Sequence, residues 1–130
     1  MDDLNTMART CWGEARGEGD TGIAAVAWVI KNRAAKPGWW GRDIKSVCLK
    51  KWQFSCWNAS DPNASKCAAL AESNDSFRHI RDICSGVIEG RIPDPTHGAT
   101  HYHTKTVAPS WAATALPCAV IGNHLFYKGV

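Results

Sequence analysis

Within ten residues, CWGEARGEGD at positions 11–20 sets three carboxylates among three glycines. Glu14 and Glu18 stand four apart with Arg16 between them, and Asp20 follows. A glutamate that keeps its proton near neutral pH can act as a general acid toward a leaving oxygen. Burial against apolar and indole surface holds such a proton, because it penalises the charged form. The competing explanation is a solvated helix end, where carboxylates favour water and a positive helix terminus. Spacing alone leaves both open.

Leu4, Met7, Ala8, Cys11, Trp12 and Ala15 recur at helical spacing, predicting a helix over about 3–16 that Gly17 and Gly19 stop. On it Glu14 flanks the apolar stripe, one residue before Ala15 and two after Trp12. Asp20 or Thr21 caps a second helix with the stripe Ile23, Val26, Ala27 and Ile30, broken at Pro37-Gly38. The acidic stretch then lies at the corner of a helical hairpin, with Glu18 the freer of the two glutamates and close enough to the start of the second helix to stabilise its dipole or cap it. Residues 37–62 read as loop, with a short helical turn at 43–49. Asp61-Pro62 opens a helix over about 63–72. Phe77, Ile80, Cys84, Val87 and Ile88 share one face of another over about 76–89. Past Pro93 and Pro95, ATHYHT (99–104) and AVIGNHLFYK (119–128) carry β-branched and aromatic residues suited to a small antiparallel sheet. The fold class is α+β, mostly helical. A chain of 130 residues is expected to form a single domain, 1–130.

Charge narrows the partners. A net +3 suits anionic polymers but falls short of a nucleic-acid footprint, so no nucleic acid is expected. No apolar run approaches the roughly 20 residues of a membrane span, which predicts no membrane insertion. The opening MDDLNTM lacks signal-peptide character and predicts synthesis in the cytoplasm. Seven tryptophans suggest binding of sugars or other flat ligands, although indoles also fill cores. None of the six cysteines forms a C-x-x-C pair. Without an export signal they are expected to be thiols inside the cell, with Cys11 and Cys84 buried. Cys48 and Cys56 are the pair best suited to a bridge across one loop.

Four blocks extend the pattern in order: GEARGEGDTGIAAVAWVIKNR from Gly13, SVCLKKWQFSCWN from Ser46, ATHYHTKTVAPSWA from Ala99 and IGNHLFYK from Ile121. Together they resemble the cell-wall hydrolase family typified by the spore-cortex-lytic enzymes, which also occurs as compact phage and prophage lysins. The resemblance covers roughly residues 7–57 and 97–128; the middle helices carry no signature. It implies a catalytic domain similar to lysozyme and lytic transglycosylases, acting on the glycan strands of peptidoglycan without a cofactor. It also implies that the first glutamate of the block, Glu14, is the catalytic acid. With one acid, the expected reaction is cleavage between N-acetylmuramic acid and N-acetylglucosamine with closure of a 1,6-anhydro ring. With water as nucleophile, the same site is a muramidase. Spore-cortex enzymes are typically exported and often carry a wall-binding domain. A chain opening almost at the catalytic helix instead suggests a phage or prophage endolysin. Such a lysin would act as a monomer on the cell wall, in the periplasm, after a separate membrane-permeabilising protein releases it.

Substrate-binding candidates follow from the same blocks. In WQFSCW, Gln53 and Ser55 offer hydrogen bonds to acetamido and hydroxyl groups, and Trp52 and Trp57 offer stacking faces. On a strand, His101 and His103 share one face and Tyr102 the other; His101 or Tyr102 can line a cleft. Asn123 and His124 serve likewise or form a turn, and Glu18 is a helper or a structural residue. Two other classes compete. His97, His101, His103 and His124 could serve a zinc amidase or peptidase, although no H-E-x-x-H spacing supports a metal site. The tryptophans could instead serve a non-catalytic wall-binding module.

Overall fold

A computed structural model describes residues 1–130 except Pro37 and Trp52. Among these described residues five helices precede a three-stranded sheet: α1 (Asp3–Ala15), α2 (Gly19–Ala35), α3 (Ile44–Leu49), α4 (Asn63–Ala69) and α5 (Asp75–Ile88), then β1 (His101–Thr104), β2 (Ala119–Ile121) and β3 (His124–Tyr127). Single 3-10 turns lie at Ser55–Trp57 and Ser110–Ala112. This is the mostly helical α+β class that the periodicities predict.

Side-chain caps start three of these helices, α1, α3 and α5. Asp2 accepts from Asn5 N at 2.7 Å to open α1, Asp43 and Ser46 form a reciprocal capping box on α3, and Asn74 accepts from Phe77 N to open α5. Helices α1, α2 and α5 pack on one another through Met7, Ala8, Cys11, Val26, Ile30, Phe77, Ile80, Cys84 and Val87, all of them buried. A smaller cluster of Ala25, Val29, Ala99 and Phe126 fastens the sheet to α2. Among the described residues no helix is long and apolar enough to cross a membrane.

Three local expectations need correction. Helix α2 begins at Gly19 with Glu18 as its N-cap, rather than being capped by Asp20 or Thr21. Gly19 adopts φ +78°, which lets the chain turn directly out of α1. Helix α4 ends at Ala69, short of residue 72. Just there the buried Arg9 guanidinium takes up the carbonyl oxygens of Cys67 and Leu70 at 2.9 and 2.7 Å, satisfying carbonyls at the helix end. Residues 119–128, expected to join the small antiparallel sheet, form its β2–β3 hairpin. Gly122 at φ +56° turns β2 into β3, and β3 is the central strand of the order β1-β3-β2. Finally, Cys48 and Cys56 are both free thiols, as are the other four cysteines. Cys48 is buried on α3, whereas the sulfur beside Cys56 is that of Cys67.

Candidate active site

Glu14 lies on the last turn of α1, half-buried, where three elements meet. Tyr102 of β1 donates its hydroxyl to Oε1 at 3.3 Å, and Ser55 of the 3-10 turn donates to Oε2 at 3.5 Å. Gly13 makes the approach possible. A Cβ there would lie 2.5 Å from Cys56 Cβ and 2.6 Å from Cys67 Sγ. Only a glycine lets the end of α1 lie flat against the turn that carries Ser55.

Burial raises the Glu14 pKa above its ordinary value of 4.5. The hydrogen bonds from Tyr102 and Ser55 oppose the shift without cancelling it, and Asp61 adds to it. Tyr102 is itself pushed well up, first by burial and then by the neighbouring Glu14, while the Arg33 guanidinium opposes. It therefore stays a protonated donor. Removing that donor in Tyr102→Phe raises the Glu14 pKa further. If Glu14 is the acid, the alkaline limb of the pH–rate profile moves to higher pH. The loss of positioning should lower kcat about tenfold, the order expected for one hydrogen bond to a charged group. A pH–rate series on the two proteins checks both.

Glu18 is not the freer carboxylate that its place beyond Gly17 suggests. Its side chain is 14 % exposed. Asn123 donates to it from the backbone N at 3.3 Å and from Nδ2 at 3.4 Å. His124 Nδ1 lies 3.1 Å from Oε1 but out of line for a hydrogen bond. Burial holds the His124 pKa down in spite of Glu18, leaving the imidazole neutral. Gly22 and Gly122 crowd the same side chain: a Cβ on Gly22 would stand 2.6 Å from Glu18 Cβ. Glu18 thus ties the α1–α2 corner to the β2–β3 turn.

Two cavities flank the Glu14–Tyr102 contact. One, of about 490 Å³, is lined by Glu14, Arg16, Glu18, Thr104, Asn123 and His124. The other, of about 530 Å³, is lined by Arg33, Trp39, Gln53, His101, Tyr102 and Trp111. Of the candidates read from the sequence, Glu14, Ser55 and Tyr102 come into direct contact. Gln53 and His101 line the second cavity, and Glu18 and Asn123 the first. Trp57 does not join them: its indole N–H donates to Thr10 Oγ1 at 2.8 Å, and it borders a separate cavity with Leu49 and Lys50. Trp52 lies outside the described residues.

The histidines do not converge. His103 Nε2 is 2.8 Å from the Tyr127 hydroxyl, and His124 faces Glu18. Among the described residues no three His, Cys, Asp or Glu side chains are grouped to hold a metal ion. Sequence reasoning missed Arg33, Trp39 and Trp111. Arg33 had a legible signal, since it falls three residues after Ile30 in the apolar stripe of α2. It is buried there between the Trp40 and Phe54 rings and donates Nε to the Thr100 carbonyl at 2.7 Å.

Known proteins share this arrangement of elements. The catalytic domain of the Bacillus cereus SleB protein superposes with a TM-score of 0.76 at 27 % identity, over 97 % of this chain and 89 % of that one. The catalytic domain of the germination-specific lytic transglycosylase SleB from Bacillus anthracis gives 0.76 at 28 %, over 97 % and 93 %. In sequence, the spore cortex-lytic enzyme of Halalkalibacterium halodurans is 30 % identical over 125 residues, 95 % of this chain and 34 % of the relative. That of Bacillus cereus is 28 % identical over 129 residues, 98 % of this chain and 45 % of the relative. The chain therefore spans less than half the length of these two relatives. Residues 17–127 match the family described as Cell Wall Hydrolase, a span that opens three residues after Glu14. The chain belongs to the cell wall hydrolase family.

Proposed function

We propose that this chain cuts the glycan strands of peptidoglycan between N-acetylmuramic acid and N-acetylglucosamine, as a lytic transglycosylase with Glu14 as its acid. The observation that carries the reading is the inequality of two carboxylates on one cavity. Glu14 is desolvated, and burial raises its pKa, which favours the protonated form that a general acid needs. Glu18 is committed to Asn123 and His124. Two-carboxylate glycosidases need a second free carboxylate as base or nucleophile. The likeness to a solved lytic transglycosylase domain supports the same choice.

Protonated Glu14 gives its proton to the glycosidic oxygen while C1 of the muramoyl residue gains oxocarbenium character. The C1–O bond breaks and the N-acetylglucosamine leaves as an alcohol. Glu14, now a carboxylate, accepts the proton of the muramoyl C6 hydroxyl. That oxygen attacks C1, the 1,6-anhydro ring closes, and Glu14 is again protonated. Tyr102 and Ser55 hold the carboxylate in place through both transfers.

Digesting purified sacculi in ¹⁸O-labelled water tests the choice of nucleophile. Transglycosylation leaves the new muramoyl ends unlabelled and lighter by one water than reducing ends. Label at those ends would mean that water attacks C1, making the enzyme a muramidase.

A further inference from the structure

Trp39 and Trp111 are 59 % and 38 % exposed, although large indoles ordinarily bury most of their surface. Both line the cavity of about 530 Å³ that opens beside Tyr102. Neither hangs free. Trp39 packs on Trp40 with ring centroids 5.4 Å apart, Trp40 meets His101 at 5.7 Å, and His101 meets Trp111 at 5.2 Å. Tyr127 adds an edge contact to Trp111 at 5.2 Å. Such a ladder holds two apolar faces in place before any ligand arrives, which reduces the ordering cost of binding.

We infer that this cavity is a sugar subsite, in which Trp39 and Trp111 stack on the C–H faces of an N-acetylhexosamine and Gln53 pairs with its acetamido group. The inference rests on the proposed glycan cleavage. A strand whose scissile bond sits at Glu14 must leave the site in both directions. One direction holds Glu18 and Asn123, with no indole lining it among the described residues. The other holds two exposed indoles beside a primary amide.

The lining suits a sugar that carries an acetamido group: two exposed indoles beside the Gln53 amide. The cavity's cation, Arg33, is buried, donates Nε to the Thr100 carbonyl and sits against two aromatic rings, while its Nη1 has no hydrogen-bond partner among the described residues. His101 is kept neutral by burial and by the nearby Arg33. The volume falls within the roughly 300–1,000 Å³ usual for small-ligand sites.

The test uses the whole chain carrying Glu14→Gln, so that nothing turns over, with the tetramer of N-acetylglucosamine as probe. Calorimetry gives Kd and saturation-transfer NMR reports ring contact. Adding Trp39→Ala or Trp111→Ala should weaken Kd about tenfold, a loss of about 1.4 kcal/mol. Trp111→Tyr, which keeps an aromatic face, should recover most of it. Trp39→Ala should not shift the melting temperature, which separates lost stacking from lost folding. A tetramer of glucose should bind less well, since it lacks the acetamido group.

Equal Kd for the parent and both alanine variants would overturn the subsite, as would a parent that fails to bind the tetramer. If the wild-type chain still cuts glycan strands in either case, the proposed function stands and only the subsite falls. If it frees stem peptides from intact glycan, the proposed function fails and the subsite with it.

Discussion

Glu14→Gln folds as the parent does and loses glycan cleavage by about 10³-fold or more, the scale of a missing general acid. Gln keeps the shape of the side chain and an oxygen that accepts from Tyr102, so positioning survives and only the transferable proton is lost. Stability should move the opposite way. The folded-state pKa of Glu14 is raised above 4.5, so the folded chain holds this proton more tightly than the unfolded chain. The stability linked to that proton is fully present below the unfolded value and is lost as pH rises through the folded one. Glutamine carries no charge at any pH. Glu14→Gln should therefore melt higher than the parent at neutral pH, with the gap closing as pH falls toward 4.5 and gone below it. Thermal melts across that range check the sign. A variant both inactive and more stable marks a carboxylate kept for chemistry at the expense of the fold.

Gly13→Ala should be the most damaging single-methyl change near the site. The added Cβ would meet Cys56 Cβ at 2.5 Å and Cys67 Sγ at 2.6 Å, and all three residues belong to packed elements. Overpacking of this kind costs about 1–3 kcal/mol, and the upper half of that range suits a clash against two elements at once. For a chain of this size the melting temperature should fall by roughly 10 °C. Activity should fall further than stability, because the clash pushes the turn carrying Ser55 away from Glu14. Gly17→Ala is the control: a Cβ there meets nothing within 4 Å, and Gly17 is not in the left-handed region. It should melt close to the parent. Equal melting temperatures for Gly13→Ala and Gly17→Ala would show that the end of α1 has room to shift.

The helical hairpin and the place of Glu14 on its flank were legible because they depend on local periodicity and on two glycines. The four ordered blocks then pointed to the family and to Glu14 as the proposed acid. What the acid touches was less legible. Tyr102 and Ser55 lie 88 and 41 residues away in sequence, and only packing of the sheet and the 3-10 turn on α1 brings them in. Glu18 shows the same limit. Its place after a glycine suggested freedom, but the β2–β3 turn more than 100 residues away encloses it. Trp57 was read as a sugar platform from its neighbourhood in WQFSCW, yet its N–H is drawn to Thr10 on the far side of that segment. Tryptophan count alone does not say which indoles face a cleft. Trp39 and Trp111 are separated from Glu14 by tens of residues and lie outside helical periodicity, so only the folded surface picks them out.

The central claim is most directly tested by mass spectrometry of the muropeptides released from purified sacculi by the wild-type chain and by Glu14→Gln. The account predicts fragments with 1,6-anhydro-muramoyl ends from the wild type and almost none from the variant. Intact glycan strands with freed stem peptides, or equal release by both proteins, would contradict it.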